Sequence, residues 1–278
     1  MAAPGMPGSL YIVSTPIGNL GDMTHRAVEV LSSAALVVAE DTRYSRRLLD
    51  HYGIRTKTSS YHEHNEARES PRLIRRLLDG ESIALITDAG TPLLSDPGAR
   101  LVSAAISAGV PAVPIPGASA LLAALVGSGM ASDQFTFFGF LPRKGKERAH
   151  KVAEIAALQH TAVLYESPVR AGATLSDLAA AGAAARSAVV ARELTKKFEE
   201  FTRGTVADLA ARFTATAPRG EVVLLIGAAI PQAISEDAMR DAATAWRAEG
   251  LSAREIVERL TGEMGAGRNL AYRLAHEE

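Results

Sequence analysis

The chain contains no cysteine in 278 residues, which excludes disulfides, thiolate nucleophiles and cysteine-built metal sites and fits a reducing compartment. It also lacks an excess of either charge, with 30 Lys and Arg against 31 Asp and Glu. That balance argues against a protein that grips nucleic acid over its whole surface, while leaving room for a local basic patch. No apolar run approaches the roughly 18 residues needed to span a bilayer. The opening "MAAPGMPGS" has neither the basic nor the apolar region of a signal peptide, so a cytoplasmic protein is expected. Neither GxGxxG nor GxxxxGK[ST] occurs, which removes the usual dinucleotide and phosphate-cradling loops.

What is present is a 47% hydrophobic content, enough for real cores. Short aliphatic runs alternate with amphipathic stretches, the pattern of βα units and a largely parallel sheet. Strands are expected at Leu10 to Ser14, Ala35 to Ala39, Ser82 to Thr87 and Pro111 to Ile115, with helices at Thr24 to Leu31, Arg43 to His51, Pro71 to Leu78 and Gly98 to Ala108. Ser70 reads as an N-cap with Pro71 at the first helical position. After about Ser132 the runs "FTFFGF", "TAVLYE", "SAVVARE", "KFEEFTRG" and "EVVLLIG" suggest a second, mixed sheet. From Ser235 onward no strand candidate remains. Helices at 252–263 and 267–276 have helix-turn-helix spacing, with Trp246 as the core anchor of this small unit.

Four turns follow expected strands: "TPIGNLGD" (15–22), "EDTRYSRR" (40–47), "DAGTPLLSDPG" (88–98) and "PGASA" (116–120). In an open α/β sheet such turns share the carboxyl edge, where ligands bind. Each alone reads equally well as a tight turn needing glycine and proline. Together they point to a site; Asp88 and Asp96 repel polyphosphate, and bare backbone beside these carboxylates suits a small ligand with a cationic or amine-bearing end.

The same stretches, with "YHEHNE", "VPIPGASALLAAL", "GFLPRKGKER", "YESPVR" and "ARELTKKFEE", closely resemble the ribosomal RNA small-subunit methyltransferase I family, a branch of the tetrapyrrole-methylase-like proteins. The resemblance runs from about Leu10 to Gly227, and the helical tail is similar to the family's C-terminal extension. It implies two α/β domains with the cofactor cleft between them and a helical addition. The divisions expected are a flexible 1–9, domains at 10–132 and 133–231, and an extension at 232–278. The implied activity is S-adenosylmethionine-dependent methylation of the 2′-hydroxyl of a cytidine in the decoding region of 16S rRNA, by a homodimer acting on the small ribosomal subunit. "DAGTPLLSDPG" resembles the superfamily's Gly-Asp-Pro cofactor loop, with Gly90, Thr91 and Pro92 in that order. Thr91 replaces the acid, so Asp88 or Asp96 is expected to take over its polar role, with Ser95 in the same loop. By the same matching Pro16, Gly117, Ala118 and Ser119 line the cofactor pocket, and Tyr165, Glu166 and Leu194 approach from the second domain.

Methyl transfer to a hydroxyl calls for collinear positioning and for a group that takes the proton. Glu40, Asp41, His64 and Glu66 are the candidates, with His64 and Asp41 expected beside the reacting ribose. Asp41 or Thr42 reads equally as a helix cap, and "YHEHNE" as a solvated loop. His62 and His64 lack the spacing of a helical zinc site, and no metal is expected. Arg143, Lys144, Lys146, Arg148 and Lys151 form a basic run suited to phosphates, extended by Arg43, Arg46 and Arg47. The competing readings are a methyltransferase of tetrapyrrole precursors, a non-enzymatic nucleic-acid-binding protein that uses the tail, and a nucleotide hydrolase. The missing phosphate motifs disfavour the last.

Overall fold

The computed structural model describes residues 6–229 and 235–277, and the chain divides into two units at residues 229 and 230. The first opens with β1 (Leu10–Val13), α1 (His25–Ser33), β2 (Leu36–Ala39), α2 (Thr42–His51), β3 (Thr58–Ser60), α3 (Glu66–Leu78), β4 (Ile83–Ile86), α4 (Ala99–Ser107), β5 (Ala112–Ile115) and α5 (Ala120–Ser128). β2 and β4 are buried along their whole length, as strands covered on both faces by helices must be. The five strands run parallel in the order β3-β2-β4-β1-β5. One face packs Leu10, Val38 and Leu85 with Leu73 and Leu77 of α3 and Leu101 of α4, and the other packs Val13, Val37 and Ile86 with Leu31 of α1 and Leu49 of α2.

The second half adds β6 (Phe135–Phe140), α6 (Lys146–Ala157), β7 (Thr161–Glu166), α7 (Pro168–Leu178), β8 (Ser187–Arg192), β9 (Glu200–Thr205), α8 (Val206–Ala215) and β10 (Val222–Ile226). Its sheet order is β6-β7-β10-β8-β9. Only β6 and β7 are parallel, the other pairs being antiparallel. Leu164, Val190 and Leu224 face Leu175 of α7 and Leu209 and Phe213 of α8. The opposite face, with Val163, Val189 and Leu225, packs on Leu121 and Leu125 of α5. Thus a helix of the first half covers the second sheet and ties the halves together.

Arg186 is 3% exposed and meets no carboxylate among the described residues. Its guanidinium donates to the carbonyls of Ile155 (2.6 Å), Ala156 (3.0 Å) and Gly227 (2.7 Å from Nε), so it satisfies the end of α6 and the end of β10 at once.

The second unit holds α9 (Glu236–Ala248), α10 (Ala253–Gly262) and α11 (Arg268–His276). Met239, Ile256, Leu260, Ala271 and Leu274 form its core, with Trp246 packed against it. Arg259 lies 5.4 Å over the Trp246 ring, and Ser252 with Glu255 makes a capping box.

The expected doubly layered α/β architecture with a helical tail is present, with differences in detail. α3 begins at Glu66, so Pro71 lies inside it and Ser70 is no N-cap. Ser70 is buried, donating to Glu66 O (2.6 Å) and meeting the Tyr61 hydroxyl (2.9 Å). Gly8 and Ser9, in the segment expected to be flexible, are tied by N–H bonds to Leu77 O (2.8 Å) and Ser82 Oγ (3.1 Å). Residues 1–5 of that segment, and the expected boundary at 231 and 232, lie outside the described residues.

Arg186→Ala leaves buried carbonyls without donors and is expected to lower unfolding stability by about 2–4 kcal/mol. Denaturant unfolding checks this, and a loss under about 0.5 kcal/mol would contradict the pinning role.

Candidate functional site

The turns leaving β1, β2, β4 and β5 meet at one edge because their strands are parallel, and short hydrogen bonds stitch them together. Thr15 and Gly90 exchange backbone bonds (N–H to O, 2.9 and 3.1 Å), and Thr15 Oγ1 donates to Thr87 O at 3.3 Å. The Thr91 hydroxyl donates to Ala118 O (3.2 Å) and lies 3.1 Å from Ser14 Oγ. Gly90 adopts φ 84°, which costs a glycine little. Leu93 and Ser95 also take positive φ, 74° and 69°, at a cost of order 1–3 kcal/mol each. This strain is concentrated in "DAGTPLLSDPG", the stretch that the sequence marks as bare and bent.

The stitched turns and the adjoining ends of β6, β7 and β10 enclose a cavity of about 450 Å³, within the usual range for small-molecule sites. Of the expected residues, Glu40, Asp88, Gly90, Thr91, Ser95, Asp96, Tyr165 and Glu166 line it. Pro16, Pro92, Gly117, Ala118, Ser119 and Leu194 are not among the lining residues. Ser119 caps α5 through the Leu122 N–H, Leu194 is core at 6% exposure, and a Cβ on Gly117 would meet Ser14 Cβ at 2.9 Å. Ile17 and Leu94 line it from within the turns singled out above without having been named, and sequence reasoning missed Phe140 and the segment Gly220 to Val223. Of these, only the "RGE" turn before β10 carries a local signal.

Among the described residues the wall carries Glu40, Asp88, Asp96, Glu166 and Glu221 and no Lys, Arg or His. Burial pushes the Asp96 carboxyl up from 3.8 to about 6, and the charges of Glu40 and Asp88 push the same way. Glu40 is raised by burial and then by Asp88, with His62 opposing. Asp88 is raised by burial, partly offset by the Asp41 N–H that donates to it at 3.2 Å. Burial also raises the Tyr165 hydroxyl, which accepts from Leu121 N–H at 3.3 Å while its ring packs edge-on against Phe137 at 4.8 Å. Glu166 accepts from Thr174 (2.6 Å) and Ser167 N–H (2.7 Å) and faces Arg170 at 3.5 Å. Such a wall favours a cation over an anion by simple Coulombic attraction in a partly dry site.

The proposed proton acceptors separate. Asp41 caps α2, accepting from Arg43 N–H at 2.8 Å and pairing with the Arg43 guanidinium at 3.1 Å. The Arg43 hydrogen bonds hold its carboxyl below the ordinary value, which makes it a weaker base. Glu66 pairs with Arg100 at 3.4 Å. His64 is exposed, outside the cavity wall and 5.9 Å from the His62 ring. Glu40 alone of that set lines the cavity. No cluster fit for a metal occurs among the described residues.

The basic run divides too. Arg143, Lys144 and Lys146 are exposed just beyond β6, with no ion-pair partner among the described residues. Arg148, expected on RNA, instead turns inward with its side chain 12% exposed, bound to Asp177 (2.7 Å) and Thr174 (3.0 Å). Lys151 pairs with Glu154 at 2.8 Å. Arg46 reaches Thr58 at 3.3 Å, while Arg47 is exposed.

The comparisons assign this two-sheet fold to a family. The family model for Tetrapyrrole (Corrin/Porphyrin) Methylases matches residues 9–210. Ribosomal RNA small subunit methyltransferase I of Synechocystis sp. is 45% identical over 273 residues, covering 97% of this chain and 98% of that relative. The protein of the same name from Mesorhizobium japonicum is 51% identical over 222 residues, covering 80% and 76%. Among solved structures, uroporphyrin-III C-methyltransferase from Thermus thermophilus superposes with a TM-score of 0.59 at 17% identity, covering 79% of this chain and 97% of that one. Diphthine synthase gives 0.60, also at 17%, covering 79% and 90%. The chain therefore belongs to the tetrapyrrole methylase family and, within it, to the ribosomal RNA small subunit methyltransferase I relatives.

Because the Asp96 carboxyl is raised on folding, the folded chain holds more protons than the unfolded chain between its ordinary value and about 6, and stability falls across that window as pH rises. Asp96→Asn removes the penalty. It should stabilise the ligand-free protein at neutral pH by about 1–2 kcal/mol, less than full linkage because solvent screens a partly buried group. The gain should fade as pH falls from about 6 towards the ordinary carboxylate value and be absent below it. Thermal melts across pH check this, and an unchanged or lowered Tm at neutral pH would contradict it.

Proposed function

We propose that the cavity binds S-adenosylmethionine and that the protein methylates the ribose 2′-oxygen of a cytidine in the decoding region of 16S rRNA, on the small ribosomal subunit. The observation that carries this reading is a cavity whose wall, among the described residues, holds acids and no cation, followed directly in the chain, after Phe140, by Arg143, Lys144 and Lys146, which have no ion-pair partner among those residues. One surface suits a positively charged small molecule, and the adjoining one suits a polyanion. When bound, S-adenosylmethionine supplies an electrophilic methyl group on a positively charged sulfur. The carboxylates of Glu40, Asp88 and Asp96 favour that charge, main-chain groups of Gly90 and its neighbours hold the molecule, and Tyr165 closes the second-domain side. The described parts of residues 10–132 and 133–231 act as the two walls of the cleft.

The same reading makes the protein a cytoplasmic homodimer. Among the described residues no helix is long and apolar enough to cross a membrane. Leu122 and Val126, one turn apart on α5, are 51% and 78% exposed, an apolar face suited to a second copy.

Radiolabelled S-adenosylmethionine given with small subunits lacking decoding-site methylation should label a cytidine whose 3′ phosphodiester resists alkali. Label on no RNA, with cofactor binding intact, would move the acceptor to a small molecule. Reversing Lys144 and Lys146 to Glu should weaken subunit binding about tenfold or more at low salt and flatten its salt dependence. An unchanged salt slope would remove these residues from the interface.

A further inference from the structure

We infer that Phe140 is the platform on which the base of the acceptor nucleotide stacks while its ribose faces the cavity, an assignment that rests on reading the site as one of methyl transfer to RNA. The regular alternation of β6 is broken just before this residue. Phe137 packs with Val163 and Tyr165 on the α5 face of the second sheet, and Phe138 packs with Leu164 on the other face. An unbroken strand would send Phe140 to the side of Phe138, two residues back. The pairing with β7 instead steps from Phe137 opposite Val163 to Phe140 opposite Tyr165, so three residues of β6 advance against two of β7. The extra residue is a β-bulge, the device that re-aims a side chain, and Gly139 accommodates it at φ 60°, where an L side chain is strained. The bulge brings Phe140 to the side of Tyr165 and into the cavity wall.

A large apolar ring turned to this side is left 57% exposed. It leans on Tyr165, with ring centroids 5.7 Å apart and planes at 60°, and Tyr165 in turn meets Phe137 edge-on. Of the two aromatic rings in the wall, Tyr165 is engaged through its hydroxyl by Leu121 N–H, whereas Phe140 keeps open apolar area. The chain beyond the ring is pinned. Arg170 donates to Leu141 O (3.0 Å) and Pro142 O (3.3 Å), and Arg148 donates to Pro142 O (3.2 Å). A ring on a pinned segment is preorganised, so little entropy is lost when a ligand covers it. A Cβ on Gly139 would lie 3.1 Å from Ser95 Oγ, so the bulge also rests on the turn after β4 that lines the cofactor cavity, which keeps ring and methyl donor in register.

Charge selects the occupant. The acids of the wall repel phosphate, so a nucleotide enters with its ribose inward and its phosphates outside. Arg143 stands three residues from Phe140, at most about 11 Å of chain. Lys144 and Lys146 follow, all three exposed. A base on the ring therefore has its phosphates beside these cations and its ribose at the mouth of the cavity. An uncharged aromatic at the boundary holds the base without adding charge to either surface, and stacking on aromatic side chains is how proteins commonly hold unpaired bases of RNA.

The test uses the full chain with Phe140→Ala, Phe140→Leu and Phe140→Tyr, given S-adenosylmethionine and small subunits lacking decoding-site methylation. Cofactor Kd is read by calorimetry, kcat/KM for subunits by label transfer, and subunit affinity by titration at several salt concentrations. Phe140→Ala and Phe140→Leu should each lower kcat/KM about 10- to 100-fold, and Phe140→Tyr, which keeps the ring face, should stay within about threefold of the parent. Cofactor Kd should stay within about threefold in all three, since the affected contact is with the acceptor. The salt slope of subunit binding should be unchanged, because stacking releases no counterions, in contrast to reversal of Lys144 and Lys146. Parental kcat/KM in Phe140→Leu would overturn the assignment, since apolar bulk would then suffice. So would a loss of cofactor affinity that accounts for the fall in rate, which would put the ring over the cofactor. A parent that labels RNA while all three variants match it overturns the assignment alone, and a parent that binds cofactor but labels no RNA overturns the underlying reading with it.

Discussion

The exchange of backbone hydrogen bonds between Thr15 and Gly90, with the Thr91 hydroxyl on Ala118 O, is the constraint on which the site depends. It draws the turns after β1, β4 and β5 into one edge, beside which Leu93 and Ser95 take positive φ. That edge carries Asp88 and Asp96 into a partly dry cavity, where their charges are costly until a cation arrives. The ligand-free fold thus holds a penalty that binding relieves, an ordinary exchange of stability for function. The anchoring of α5 on the second sheet keeps the two halves of the cavity in register.

A net charge of −1 conceals a separation of sign. Acids line the cavity, and cations without an ion-pair partner among the described residues follow β6 outside it. The separation is sharpened by what the fold removes: Arg148 is spent on Asp177 and Thr174, and Arg43 on Asp41. What remains for a polyanion is a smaller and better-defined patch than the basic run in the sequence. A cationic donor and an anionic acceptor can then occupy adjoining surfaces without either screening the other at close range.

Much of this was legible beforehand, because aliphatic runs ending in Gly, Pro and acid turns carry both the strand order along the chain and the shared edge. Elements without such a signal were not. β3 is the polar "TSS", and its place at the sheet edge comes from pairing with β2. α5 is apolar on its buried face and also at the exposed Leu122 and Val126, so no amphipathic period marks it. Pro71 looked like a helix start because the rule for proline at a first turn is local, whereas the buried Ser70 contacts that accommodate it are tertiary. Site residues on the strand-end turns of the first half were readable. Phe140 and Gly220 to Val223 enter the cavity only through the mixed topology of the second sheet, which spacing along the chain does not encode. Occupancy was equally hidden: nothing in "EDTR" tells a capped, paired Asp41 from a free one.

The central claim is that the acid cluster exists to receive a cation. Calorimetry of S-adenosylmethionine binding in two buffers of different ionisation enthalpy, at the pH of about 6 where Asp96 is half-ionised, tests it most directly. An entering cation lowers the carboxyl, so binding should release protons, giving heats that differ between the buffers, with the difference reduced in Asp96→Asn. Equal heats in both buffers, or no binding, would contradict the account.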